Sequence, residues 1–279
     1  MRTIRAEEIT ETVAQLCIKA NRELPEDVER ALRAAAEAEP WPLAKHILGI
    51  LGDNLDLARE RQLPICQDTG VACVFLEIGQ EVHIEGALDA AVQEGVRRGY
   101  GEGDLRKSLV GDPLRRGNTG DNTPAFLTVH LIPGDAFRIT VAPKGFGSEN
   151  MSRLAMLKPS DGVEGFKNFV LETVRLAGPN PCPPVVVGVG VGGTFDKVAY
   201  LAKKALLRPL DQPNPDPYYA ALERELLGAI NDSGIGPQGF GGRTTALGLA
   251  IEQSGTHVAG LPVAVNMSCH VTRRASAAL

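Results

Sequence analysis

The stretch PPVVVGVGVGGTFDKVAYLAKKALL, residues 183–207, decides the fold class. Residues 185–191 hold only valine and glycine, which reads as a strand buried on both faces. Gly192 and Gly193 end it in a turn, and FDKVAYLAKKALL (195–207) then spaces its apolar residues as a helix does. A buried strand running through glycine into an amphipathic helix belongs to a mixed α/β chain.

The reading extends outward from there. After the proline-rich surface loop RPLDQPNPDPY (208–218), YYAALERELLGAINDS (218–233) is a second helix, and ALGLAIEQSGTHVAGLPVAVNMSCH ends the chain in two or three short strands. Upstream, DGVEGFKNFVLETVRLA (161–177) is an amphipathic helix. VACVFLEI (71–78), FLTVHLI (126–132) and FRITVA (137–142) read as strands, with the helix GALDAAVQEGVRRGY (86–100) among them. The first third is helical over 6–20, 24–39 and 42–61. The expectation is a mixed α/β (α+β) fold of one domain, residues 1–279. An N-terminal helical segment, 1–62, leads into a mixed sheet part packed with helices, 63–279.

At 279 residues and 43% hydrophobic, the chain can bury a sizeable core. Its net charge of −5 and 5% aromatic content, with no basic stripe, argue against nucleic-acid binding. No apolar run approaches the ~20 residues of a membrane span, and MRTIRAEEITETV is not a secretory leader. A cytoplasmic protein is expected.

The five cysteines are Cys17, Cys66, Cys73, Cys182 and Cys269. Their odd number and wide spacing do not suit a disulfide framework. Cys17 lies on the apolar face of a helix, and Cys73 shares a strand face with Val71 and Phe75; both read as small core hydrophobes. Cys66, Cys182 and Cys269 sit in turns where an element begins or ends, so they suggest one site assembled from distant segments. Two metals remain open at this point. Zinc would need His270 as a fourth ligand, although no CxxC pair is present. An iron–sulfur cubane held by three thiolates would leave one iron open as a Lewis acid.

Other polar signatures accompany them. RRGNTGDNTPAF (115–126) packs polar residues and glycine before a strand. APKGFGSENMSRLAML (142–157) reads as a glycine-rich loop leading into a helix, suited to an anion or to a tight turn capped at Ser148. It is neither a P-loop nor a dinucleotide fingerprint. His257, at a strand start, could be a general acid or base. Arg106, Arg115, Arg116, Lys144 and Arg243 are candidate cations for a dicarboxylate.

Taken together, PICQDTG (64–70), NTGDNTPA (118–125), KGFGSEN (144–150), PCPPVVVGVGVGG (181–193), GIGPQGFGG (234–242) and NMSCH (266–270) resemble the class I fumarate hydratases and the related L-tartrate dehydratases. The resemblance is to their alpha part and covers about residues 5–275. It implies an oxygen-sensitive [4Fe-4S] cluster on Cys66, Cys182 and Cys269. It places Gln67 and Asp68 at the substrate, with Asp68 serving acid or proton-relay chemistry. It matches His257 to a catalytic histidine, Arg106 to a carboxylate anchor and the glycine loop, best at Gly147, to a substrate contact. The implied reaction is reversible hydration of fumarate to (S)-malate, a step of the tricarboxylic acid cycle. L-tartrate dehydration is the alternative within the same chemistry. Fused relatives carry a further beta domain that supplies a threonine base, so the chain is expected to act with a separate beta subunit, on a small dicarboxylate, and as an alpha–alpha dimer. A reading of another class is a non-enzymatic metal-binding or regulatory protein.

Overall fold

A computed structural model of the chain describes residues 2–279. Its elements in chain order are β1 (Arg2–Arg5), α1 (Ala6–Arg22), α2 (Glu26–Ala38), α3 (Pro42–Arg61), β2 (Val71–Gly79), β3 (Val82–Glu85), α4 (Leu88–Glu102), β4 (Phe126–Ile132) and β5 (Phe137–Lys144). They continue with α5 (Phe146–Glu149), β6 (Arg153–Leu157), α6 (Gly162–Ala177), β7 (Val185–Gly193), α7 (Phe195–Ala205), α8 (Pro217–Asn231), β8 (Ala246–Thr256), β9 (Leu261–Ser268) and β10 (Ala275–Ala278). This is a mixed α/β fold, as the valine–glycine strand and its helix imply. Among the described residues no helix is long and apolar enough to cross a membrane.

The chain divides into two compact units. The first comprises the chain up to Pro25, Leu55–Gly145 and Arg273–Leu279; the second comprises Glu26–Asn54 and Phe146–Thr272. The three leading helices are therefore shared out: α1 belongs to the first unit, α2 to the second, and α3 is divided.

In the first unit a four-stranded sheet runs β10-β5-β2-β4. The inner strand β2 pairs parallel with β4 and antiparallel with β5, and is almost wholly buried. Helices α1 and α4 pack together against this sheet. Their apolar faces, including Ile9, Val13, Val92, Val96 and Tyr100, close a core with Val74, Leu76, Ile139 and Val141. Each such side chain contributes about 1.5–3 kcal/mol on burial. A short parallel pair, β1 with β3, joins Ile4 to Ile84; its two RTIR- and VHIE-length runs were too short to read as strands from sequence.

In the second unit the order is β6-β9-β7-β8, with β7 parallel to β8 and antiparallel to β9. The alternation of β7 explains its composition. Val185, Val187, Val189 and Val191 share a core with Phe166, Phe169 and Val170 of α6 and with Leu226 and Ile230 of α8. The intervening glycines admit α7: a Cβ on Gly188 would stand 2.2 Å from the Ala202 carbonyl, and one on Gly190 2.3 Å from that of Val198. These glycines thus serve helix packing.

One expectation is corrected here. The loop APKGFGSENMSRLAML does not lead into a long helix. It forms the single turn α5 and then strand β6, which pairs with β9 through Arg153↔Val265 and Leu157↔Leu261. Ser148 lies buried inside α5 and is not its cap.

Candidate functional site

In the first unit the turn Cys66–Gly70 links α3 to β2, and its backbone is unusually well held. Ile65 is buried and donates its N–H to the Asn21 carbonyl at 2.9 Å. The Gly70 N–H donates to Asp68 Oδ1 at 3.1 Å, an Asx turn. Three successive carbonyls then each receive a buried side-chain donor. Arg273 Nη2 donates to the Asp68 oxygen at 2.5 Å. The Tyr100 hydroxyl donates to those of Thr69 and Gly70, both at 3.0 Å. Asn122 Nδ2 adds a bond to Gly70 at 3.2 Å. Burial raises the Tyr100 phenol far above its ordinary value, so it remains a donor.

The same turn reaches the candidate cations. Thr69 Oγ1 donates to the Arg106 carbonyl at 3.0 Å, so the segment carrying Arg106 is tied to it. Arg106 and Gln67 are exposed, and Asp68 is half-buried. Lys144, at the end of β5, is buried and donates to the Gly145 carbonyl at 3.3 Å. Gly70 has a φ of +73°, and a Cβ on it would stand 2.6 Å from the Lys144 carbonyl carbon. A Cβ on Gly145 would stand 3.0 Å from Asp68 Oδ2. Gly145, not singled out from sequence, therefore makes the space in which the Asp68 carboxylate lies. Arg115 and Arg116 lie in an exposed loop.

In the second unit Cys182 is exposed and has a φ of +54°, a left-handed conformation that costs a non-glycine residue roughly 1–2 kcal/mol. Such a conformation persists where the surroundings impose it, and here they do. Both the backbone N–H and the side-chain Nε2 of Gln238 donate to the Pro183 carbonyl at 2.7 Å. His270 Nδ1 lies 3.0 Å from the Cys182 carbonyl, and its backbone N–H donates to the same oxygen at 3.4 Å. Cys269, at the end of β9, is half-buried and its carbonyl accepts from Thr272 Oγ1 at 2.7 Å. The pairing Val186↔Ser268 puts Cys182 and Cys269 at one end of the sheet. Gly147 belongs to the same end: a Cβ there would stand 3.8 Å from the Asn180 carbonyl. Glu149 anchors this loop, accepting from Lys203 Nζ at 2.6 Å and from Asn266 Nδ2 at 2.7 Å.

His257 stands elsewhere. It lies in the exposed β8–β9 turn, beside the C-terminal end of β7, where Gly193 pairs with Thr256. Cys269 follows the other end of β9, an eight-residue strand that spans roughly 26 Å. His257 Nδ1 accepts the Ala259 N–H at 3.2 Å, which leaves Nε2 to carry the proton of the neutral ring. A cavity of about 290 Å³ at that end is lined by Phe166, Val191, Tyr218, Leu222 and Leu261. With no cation in its lining it does not suit a dicarboxylate.

The cysteines separate by exposure as their sequence settings suggested. Cys17 and Cys73 are buried, and burial pushes the Cys17 thiol up to about 12, which keeps it protonated. Cys66, Cys182 and Cys269 are each at least partly exposed, and none of the five is in a disulfide. Among the described residues no three His, Cys, Asp or Glu side chains stand together as ligands of a single ion. Three thiolates on three different irons of a cubane do not have to. Accessible thiols are the donor type such a cluster takes, and two of them, Cys182 and Cys269, lie at one end of the second unit's sheet. The buried Arg273 guanidinium, whose Nε and Nη1 have no hydrogen-bond partner, adds positive charge beside the Asp68 turn that suits an anionic occupant.

Comparison with known proteins gives a consistent result. A model of the fumarate hydratase (Fumerase) family matches residues 10–278. The putative L(+)-tartrate dehydratase subunit alpha of Methanocaldococcus jannaschii is 46% identical over 275 residues, 96% of each chain. The L(+)-tartrate dehydratase subunit alpha of Escherichia coli (strain K12) is 34% identical over 270 residues, 95% of this chain and 89% of the relative.

Proposed function

The chain belongs to the fumarate hydratase (Fumerase) family, and from that membership we propose that it is the alpha subunit of an iron–sulfur hydro-lyase acting on a four-carbon hydroxy-dicarboxylate. The observation that carries this reading is the sorting of the cysteines. The three that match the family's ligands are the accessible ones, and the other two are buried. Cys66, Cys182 and Cys269 hold a [4Fe-4S] cluster in this reading. When bound, it supplies one iron free of thiolate, a Lewis acid for a substrate hydroxyl.

The chain's own residues bind and orient. Arg106 and Lys144 supply cations for the substrate carboxylates. Gln67, exposed on the turn, offers both a donor and an acceptor to the hydroxyl-bearing carbon's substituents. Asp68 moves the proton. Its Oδ1 is fixed by the Gly70 N–H, and its Oδ2, in the space beside Gly145, gives or takes a proton at the departing water. Gly147 lets the loop backbone approach the substrate. His257, with its proton on Nε2, is a donor on an exposed turn and serves a site completed by another subunit. A separate beta subunit, for which the relatives' name "subunit alpha" argues, supplies the base that removes the carbon-bound proton.

L(+)-tartrate is the substrate the relatives' names support, whereas the family's description supports fumarate and (S)-malate. The test is to co-produce the chain with its beta partner, load the cluster anaerobically and compare kcat/KM for L(+)-tartrate and (S)-malate. Tartrate is expected to lead by at least about tenfold, a difference of about 1.4 kcal/mol in transition-state binding. A malate preference would assign the fumarate reaction. No dehydration of either by the loaded complex would contradict the hydro-lyase reading.

A further inference from the structure

We propose that Arg273 is a positioning residue for the Cys66–Gly70 turn, holding Asp68 in its working conformation; its effect on turnover rests on the hydro-lyase reading, and its effect on the turn does not. Arg273 is 5% exposed. Burying a guanidinium with Nε and Nη1 unpartnered is unfavourable. An apolar side chain of similar volume would fill the space without that penalty, so the charge is there for something only a donor can do.

The contact that remains is the 2.5 Å bond from Nη2 to the Asp68 carbonyl. It completes a row. Tyr100, fully buried, serves the Thr69 and Gly70 carbonyls. Asn122, also fully buried, serves Gly70 and at the same time accepts the Ser108 and Leu109 N–H groups at 2.8 and 3.1 Å. Arg273 serves the residue whose side chain does the chemistry. Asp68 is thereby gripped at both ends, its carbonyl by Arg273 and its Oδ1 by the Gly70 N–H. Rotating the 68–69 peptide plane would turn the Asp68 carbonyl away from Arg273 and break that bond. Arg273 follows Cys269 by four residues, so NMSCHVTR carries a proposed cluster ligand and this anchor on one short segment.

The test uses Arg273→Met, which keeps the bulk and removes the donors, and Arg273→Lys, which keeps one charged donor. In the metal-free full chain, amide hydrogen exchange of the peptide spanning Asp68–Gly70 is expected to quicken about tenfold in Arg273→Met, the loss of one hydrogen bond. It should quicken less in Arg273→Lys, and peptides from β7 and β9 should keep the wild-type rate. In the cluster-loaded complex with its beta partner, kcat is expected to fall about 10- to 100-fold in Arg273→Met, with KM within twofold of wild type and cluster absorbance unchanged. Arg273→Lys should recover part of that loss, which a merely structural contact would not produce at equal stability. Wild-type exchange over Asp68–Gly70 in Arg273→Met would overturn the proposal. Should Arg273→Met not fold, wild-type exchange in Arg273→Lys together with a KM rise at unchanged kcat would overturn it equally. A wild-type complex that dehydrates neither substrate would refute the hydro-lyase reading instead, and the exchange data would still decide the role of Arg273.

Discussion

Gly70→Ala is the substitution whose cost the structure fixes most closely. Gly70 has a φ of +73°, where an L-alanine costs roughly 1–2 kcal/mol. Its Cβ would also stand 2.6 Å from the Lys144 carbonyl carbon and oxygen and 2.9 Å from the Gly145 nitrogen. Carbon contacts are comfortable at ~3.5–4.0 Å, so the two backbones must part by about 1 Å, and such overpacking costs about 1–3 kcal/mol. A stiffer unfolded chain returns about 0.4–1 kcal/mol. The net loss is about 2–4 kcal/mol, or a Tm fall of roughly 5–15 °C for a chain of this size. Gly134→Ala is the control. Its φ is +84°, yet no atom lies within 4 Å of its would-be Cβ, so only the conformational part, about 1 kcal/mol, applies there. Thermal melts of the two metal-free variants beside wild type make the comparison. Equal losses in both would refute the close approach of the turn to the end of β5, and with it the account of how Asp68 is placed.

Two further outcomes follow from the second unit. Glu39 is buried; burial pushes its carboxyl up, but donation from the Arg243, Thr244 and Trp41 N–H groups and the Thr244 hydroxyl outweighs it and holds the group below the ordinary value. Its contribution is therefore present above the unfolded carboxylate range near ~4.3 and lost as pH falls through the lower folded value. Glu39→Gln should lower Tm at pH 7 and flatten the fall in Tm below about pH 5; parallel Tm–pH curves for the variant and wild type would contradict this. Gln238→Asn keeps a residue tolerant of the left-handed φ of +54° but withdraws Nε2 from the Pro183 carbonyl. Alkylation of Cys182 by iodoacetamide, followed by mass spectrometry, should quicken about tenfold, and an unchanged rate would show that the backbone bond alone holds the cysteine.

Much of the framework was legible in the sequence because its signals are local. The valine–glycine alternation of β7, the helical spacing of α6 and α8, and the apolar faces bearing Cys17 and Cys73 are all read within a dozen residues. Strand β6 was missed because RLAML follows a glycine loop and has no clear alternation; its pairing with β9 decides it. The division into two units was hidden because each is assembled from separated segments. The anchors of the site were hidden for the same reason. Arg273 meets Asp68 across 205 residues, Gln238 meets Pro183 across 55, and Glu149 meets Asn266 across 117. Nothing near any of these residues marks its partner. The place of His257 had a signal that went unused. The eleven residues between it and Cys269 contain a whole strand, so the two had to stand at opposite ends of it.

The central claim is that three accessible turn cysteines hold a cluster with one thiolate-free iron. The most direct measurement is EPR of the anaerobically reconstituted chain after brief oxidation, in wild type and in five single Cys→Ser variants. The account predicts a [3Fe-4S] signal in wild type, Cys17→Ser and Cys73→Ser, and none in Cys66→Ser, Cys182→Ser or Cys269→Ser. No cluster in wild type, or a signal that survives the loss of any of those three thiols, would contradict it.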